Sequence, residues 1–422
     1  LLAGSTLQAA PPEYLSAEEP AGLSLPEETL PADLIGQAPV EFPTEDLVKL
    51  PLLDESVLFL SPRAYYLYRD LGRGGRMETF AVGGSAGLVT KWFGDHVRFG
   101  VTGYTSHRIH GPQDRDGAGL LQPGQNDYSA LGELYVEARN GPVSLKIGRQ
   151  ELDLPYLNIH DIRMTPNTFE SAILLYSGEQ LRAGIAHTWA MKVRTSSDFV
   201  SMSEEAGAGP DRGVTSFGTR YEFADGGSSI GFVDHYGWDT FNTFYTEASW
   251  LLPVGEETDV KLSAQFTDQR SVGDELVGEF DAQHFGARAS VGYKSLTASA
   301  RATWYSSGDK LTNPWGGSPT YNSIIVGDFN LPGERSLGLS LSYDFEELGL
   351  KGWSAFGTAV FGHTPDAGES ASPDRDEYNL TVDYRIAEGP LKDLWLRGRF
   401  AYIDSEHDLR DYRIIANYSF NF

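Results

Sequence analysis

The chain has 422 residues, a formal charge of −26 and no cysteine. So large a negative charge argues against nucleic acid as a partner, and zero cysteines remove disulfides, thiol catalysis and thiolate-held metals. No run of roughly 18 apolar residues occurs, which excludes a helical membrane span. An apolar fraction of 40%, with 12% aromatic residues and 47 glycines, fits a turn-rich β protein with one wet face.

Residues 1–10, with Leu1-Leu2 followed by small residues at Ala3-Gly4-Ser5 and Ala9-Ala10, read as a signal-peptide remnant. Residues 11–52 are acidic and broken by prolines from Pro11 to Pro51, so their backbone is expected to be extended or only briefly helical. Two readings stay open for this stretch. It is a disordered acidic leader, or it is a periplasmic extension whose Leu23, Leu30, Leu34, Ile35, Phe42 and Leu47 pack on a barrel mouth or dock a periplasmic partner.

From residue 53 to 422 the pattern changes to a meander. Val97, Phe99 and Val101 alternate with Arg98, Gly100 and Thr102, and the same period of two recurs at Leu134-Val136-Ala138, Val260-Leu262-Ala264-Phe266, Leu337-Leu339-Leu341-Tyr343 and Tyr412-Ile414-Ala416-Tyr418-Phe420-Phe422. That is the period of a strand with two unlike faces. About eighteen such segments are expected, within the range of outer-membrane barrels. Tight turns are expected at Gly94-Asp95, Asn140-Gly141, Ser177-Gly178, Asp225-Gly226, Gly255-Glu256, Lys294-Ser295, Glu347-Leu348 and Gly389-Pro390, where Asn-Gly and Asp-Gly are good hairpin signals. Longer polar connections fall between them, in strict alternation. A sandwich has no reason to alternate in this way, whereas an outer-membrane barrel has short periplasmic turns and long outer loops. The expected fold is therefore all-β, a single closed antiparallel transmembrane β-barrel in the bacterial outer membrane, with lipid and lipopolysaccharide around it. Its aromatic end at Phe422 resembles the signal read by the barrel-insertion machinery.

Cations placed in mid-strand carry the functional reading. Arg98, Lys146, Arg182, Arg220, Lys261, Arg288, Arg301, Arg385, Arg397, Arg399 and Arg413 occupy the polar phase of their strands. An arginine facing lipid at mid-membrane costs about 2–4 kcal/mol, so these side chains are expected to face a lumen. There they form a basic ladder that recruits small anionic solutes, or they pair with inward acids such as Glu133, Glu137, Glu222, Asp344 and Asp383.

The stretch from Val143 to Tyr176 is singular. Two strand-like ends enclose a connection in which Leu152, Leu154, Leu157, Ile159, Ile162, Met164 and Phe169 recur, so it folds back onto the protein. The Gly148-Arg149-Gln150 strand end and the Asp161, Arg163, Pro166, Thr168, Phe169, Glu170 pattern resemble the OprD-type family of specific outer-membrane porins. The resemblance implies an inward-folded third loop and a basic ladder guiding carboxylate-bearing solutes past a constriction, with Arg397, Arg399 and Arg413 as the end-of-barrel part of that ladder. The constriction is expected to involve Asp153, Tyr156, Asn158, His160, Asp161 and Arg163. Asp161 and Arg163 equally suit an internal salt bridge that pins the loop to the wall.

The expected function is a passive, substrate-selective diffusion channel for small carboxylates or amino acids. The alternative is a conduit or scaffold barrel that docks a periplasmic partner through the amino-terminal arm. No nucleophile motif points to an enzyme, and neither a cofactor nor a metal is expected. Asp114-Arg115-Asp116-Gly117 resembles part of a calcium loop but lacks its closing acid.

Overall fold

Alternating apolar and polar residues put one face of each strand in hydrocarbon and the other in water, and a sheet with such faces is stable in a bilayer only if it closes. The structure, a computed structural model, describes residues 56–422 apart from 73, 225, 226, 256 and 422, together with Val40–Glu41. The signal-peptide remnant, nearly all of the amino-terminal extension, the Asp225-Gly226 turn, Glu256 and Phe422 lie outside the described residues.

Eighteen long strands run in chain order among the described residues: β1 (Val57–Asp70), β2 (Arg76–Val89), β3 (Val97–His110), β4 (Tyr128–Asn140), β5 (Val143–Gln150), β6 (Thr168–Ser177), β7 (Leu181–Lys192), β8 (Val214–Glu222) and β9 (Ser229–Gly237). The second half comprises β10 (Phe241–Pro253), β11 (Thr258–Ser271), β12 (Asp281–Tyr293), β13 (Leu296–Tyr305), β14 (Arg335–Asp344), β15 (Trp353–His363), β16 (Arg375–Arg385), β17 (Trp395–Asp404) and β18 (Leu409–Asn417). Each pairs antiparallel with its neighbour in sequence, and β1 pairs with β18 from Arg63↔Asn417 to Asp70↔Arg410, which closes the barrel. Beyond β18, Phe420–Asn421 pairs antiparallel with Phe59 and Leu60 and parallel with Val40–Glu41.

The two faces sort as the alternation requires. Phe99, Leu134, Ile147, Ile185, Phe217, Leu262, Phe285, Leu339 and Ile414 stand exposed on the outside, in the band that meets lipid. Inward positions are rich in Ser, Thr, Asn, Gln, Arg and Glu, many of them buried beneath inward-folded loops, with Tyr65, Ile173, Val233 and Tyr245 among the apolar exceptions.

Lengths of the connections depart from strict alternation. On the loop side, residues 71–75, 238–240 and 405–408 are short. On the turn side, residues 345–352 and 386–394 are longer, the first containing a short 3-10 helix. The two-residue turn at Gly94-Asp95 takes positive φ at both residues, 57° and 63°, the type I′ twist that suits flanking strands. The alternation of apolar residues also stops at Asn417: Tyr418 is buried rather than lipid-facing, and its hydroxyl donates to Pro390 O.

Candidate functional site

A barrel of this size would hold an open aqueous channel unless something narrowed it. Two loops do so. The third loop, residues 151–167, opens with a tiny hairpin, Asp153–Leu154 against Leu157–Asn158, whose turn places Tyr156 at φ 65°. Leu152, Leu154 and Leu157 bury with Phe169, Met191, Phe241 and Trp315 against the β6–β10 wall. Further on, Met164 joins Tyr65, Leu67, Leu120, Leu121 and Ile415 on the β1–β18 side. The loop thus crosses the lumen, with a greasy contact at each end.

Its polar residues are mostly spent on docking. The Tyr156 hydroxyl hydrogen-bonds Thr267 Oγ1 at 2.9 Å, and His235 Nε2 meets Pro155 O at 2.8 Å. Asn158 Nδ2 donates to Gly317 O at 3.0 Å while its Oδ1 accepts from Gly317 N at 2.7 Å. Asp161 receives a two-pronged bond from Arg63 of β1, at 2.5 and 2.8 Å. Arg163 does not pair with Asp161; its Nε donates to Ala118 O of the second loop at 3.0 Å. The pin between loop and wall is therefore Asp161–Arg63, and Arg63, at an ordinary strand position far away in sequence, is a residue that sequence reasoning missed. Asp153 is buried at the loop root. His160 is half-buried, and Arg194 Nη1 donates to its Nδ1 at 2.6 Å. Burial, then the Arg194 and Arg163 charges, hold the His160 imidazole well below its ordinary pKa, so it stays neutral and accepts.

The second narrowing element is residues 306–334, between β13 and β14, which sequence reasoning left as a long polar connection. Its Trp315 stacks on Phe241 at 4.6 Å between centroids and donates to Met202 O at 2.7 Å. Gly316 approaches Asn158 so closely that a Cβ there would lie 2.6 Å from Asn158 Oδ1, which is why glycine sits at the loop–loop contact. Glu377 accepts from Val326 N and Gly327 N at 3.0 and 2.7 Å, and Arg413 Nη2 donates to Ile325 O at 2.8 Å. Half-buried His160, Ile162, Ile324, Val326 and Asp328 are left along the two loops, with Arg194 beside them from the connection after β7.

Every cation expected on the ladder lies on the inward face of its strand, at mid-strand or nearer the turns. They divide by partner. Arg98 pairs with Glu137 at 2.8 Å, Arg397 with Asp383 at 2.7 Å, Arg220 with Glu222 at 3.4 Å, and Arg413 with Asp411 at 2.6 Å. Lys146 sits over the Tyr135 ring at 3.7 Å. Arg288 lies over Tyr321 at 4.5 Å with Glu247 3.9 Å away, and Arg399 donates to Thr381 Oγ1 at 3.1 Å. Arg182 and Arg385 have no side-chain partner among the described residues. Arg98, Lys146, Arg301 and Arg413 are buried, whereas Lys261, Arg182, Arg220, Arg288, Arg385, Arg397 and Arg399 are half-exposed to the lumen. Three cation pairs stand directly opposite across adjacent strands: Arg182↔Arg220, Arg288↔Arg301 and Arg399↔Arg413.

The family model of the outer membrane porins, OprD family, matches residues 52–422. The chain belongs to the OprD family. It is a substrate-specific channel of the bacterial outer membrane, and the family is one of porins rather than enzymes. Among solved structures it is similar to OccK9 (OpdG) of Pseudomonas aeruginosa, with 26% identity and a TM-score of 0.82 over 88% of this chain and 100% of that one. OpdK with vanillate, from the same organism, matches at 21% identity and TM-score 0.80, and a BenF-like porin from Pseudomonas fluorescens Pf-5 at 18% and 0.80; each covers 88% of this chain and 100% of its own. A search of curated proteins returns no match.

Proposed function

We propose that this porin is a passive channel selective for small carboxylate-bearing solutes, amino acids among them, and that its inward cations guide the carboxylate. One observation carries the reading: the directly opposed arginine pairs on the lumen wall. Like charges opposite one another on a sheet destabilise it, so stability alone gives no reason to place them there. A solute carboxylate beside such a pair offsets the repulsion and accepts charge-assisted hydrogen bonds from the guanidinium groups that face the lumen. The low-dielectric walls of a narrow channel strengthen that field. OpdK, a similar fold crystallised with vanillate, is in keeping with a carboxylate as cargo.

Arg182, Arg220, Arg288, Arg385, Arg397 and Arg399 are the solute-facing rungs, being half-exposed. Buried Arg98, Lys146, Arg301 and Arg413 act by charge and by holding neighbours in place. Asp161, Asn158 and Tyr156 position the constriction, and His160 and Arg163 flank it. Purified protein in a planar bilayer tests this: small carboxylates are expected to perturb the current more than amines of equal size, and R182Q/R399Q is expected to weaken that difference. Equal responses to the two charge types in the wild type would end the proposal.

A further inference from the structure

The inward wall of β13–β16 carries a row of short polar side chains that docking does not use. Ser299, Ser340, Thr358 and Asn379 are directly paired positions on consecutive strands, and Thr297 and Ser342 stand opposite each other one step nearer the turns. Thr297, Ser299, Ser340 and Ser342, with Arg288, Arg301 and Phe356, line a shallow, partly open recess in the inward wall. Both ends of the Asn379 amide and the Thr358 hydroxyl are buried without a hydrogen-bond partner among the described residues, as is Arg288 Nε. Buried polar groups in folded proteins are almost always satisfied, so the unpartnered Arg288 Nε at the recess, with Thr358 and Asn379 on the strands beside it, marks a wall with bonding capacity to spare, although Ser299 Oγ already donates to Ser290 Oγ at 2.9 Å.

We infer that this recess is a subsite for a polyhydroxylated carboxylate, a sugar acid or a similar aliphatic hydroxy acid. Half-exposed Arg288 takes the carboxylate, and the charge of buried Arg301 opposite it adds to the attraction. The shelf of Thr297, Ser299, Ser340 and Ser342 exchanges hydrogen bonds with the solute's hydroxyl groups, each side donating to or accepting from the other. Apolar contact is limited to Phe356, so the wall offers little to an aliphatic chain. Discrimination follows from the same physics: an alkyl acid bound here would leave the shelf unpaired, and a site built to bond hydroxyls rejects the analogue that lacks them. The inference rests on the carboxylate reading above and adds a preference among carboxylates.

Current through the purified wild-type channel, titrated separately with gluconate and with hexanoate, tests it. These probes share carbon number and charge and differ in hydroxyl groups. Gluconate is expected to act at a lower concentration than hexanoate on the wild type. The triple variant S299A/S340A/S342A is expected to raise the concentration of gluconate needed for half-effect about tenfold, equivalent to one or two net hydrogen bonds, and to leave that of hexanoate within about twofold. Thr297→Val, which keeps the shape of the side chain, is expected to act in the same direction with a smaller shift should the triple variant fail to insert. If gluconate and hexanoate are equivalent on the wild type, or weaken together in the variants, the shelf has no role and the subsite is wrong. If neither acid perturbs the wild-type current while chloride conductance is normal, the carboxylate reading itself has failed.

Discussion

The two ends of the barrel differ in charge and in how that charge is housed. On the loop side Asp114, Glu204, Asp274 and Asp366 stand exposed, in bulk water. On the turn side the inward cations stand inside a narrow lumen, held by Glu137 and Asp383 or left facing the opening. Exposed charges farther away than a Debye length of about 8 Å at physiological salt are screened, while a field between low-dielectric walls is focused. A net charge of −26 therefore says little about selectivity; the placement of a minority of arginines says more.

The strongest way to break that contrast is to remove the constriction that separates the two ends. Asp161→Ala leaves the Arg63 guanidinium without its carboxylate in a largely buried site, and breaking a buried pair costs about 3–5 kcal/mol. Loop 3 is expected to detach from β1, and single-channel conductance is expected to rise with loss of discrimination among solutes; unchanged conductance would mean the pin is dispensable. A face swap comes next. Leu339→Arg, on the lipid side of β14, is expected to destabilise the barrel by about 2–4 kcal/mol, measured by urea unfolding in lipid vesicles. The neighbouring inward Ser340→Arg is expected to lower conductance instead.

Selectivity sharpens the comparison further. R397Q/R399Q is expected to move the reversal potential in a salt gradient toward cation selectivity, whereas neutralising Asp114, Asp274 and Asp366 together is expected to move it by much less, and by less again at higher salt. The smallest effect expected is on pH. Burial, then the Glu133 carboxylate, push Glu151 at the root of loop 3 up to about 8 from its ordinary 4.5. Between those values the folded protein binds more protons than the unfolded chain, so this group's contribution is present below 4.5 and is lost as pH rises through about 8. Heat denaturation is expected to show that slope in the wild type and a flatter one in Glu151→Gln.

Much of this architecture was legible because it is periodic. A strand that must show lipid to one side and water to the other writes the difference at every second residue, so strand number, closure and the inward phase of Arg98 or Arg399 followed from alternation alone. Loop 3 was legible for a second reason: Leu152, Leu154, Leu157 and Ile159 have no place in a solvated connection. The loop at 306–334 carries Trp315, Tyr321, Ile325 and Phe329 too far apart, among Asn, Ser, Thr and Gly, to form a period, and its inward course depends on Arg413 and Glu377 from distant strands. Partner choice was the least legible. Asp161 had Arg163 two residues away, and nothing local says that Arg63, brought across the barrel by closure, wins that carboxylate.

Water access to the inward positions is the measurement closest to the central claim, and a chain without cysteine makes it clean. R182C and, on the same strand, I185C would each be exposed to a charged, water-soluble thiol reagent while single-channel current is recorded. The account predicts a stepwise drop in current for R182C and no response for I185C, whose side chain is in lipid. Modification at 185 with silence at 182 would contradict it.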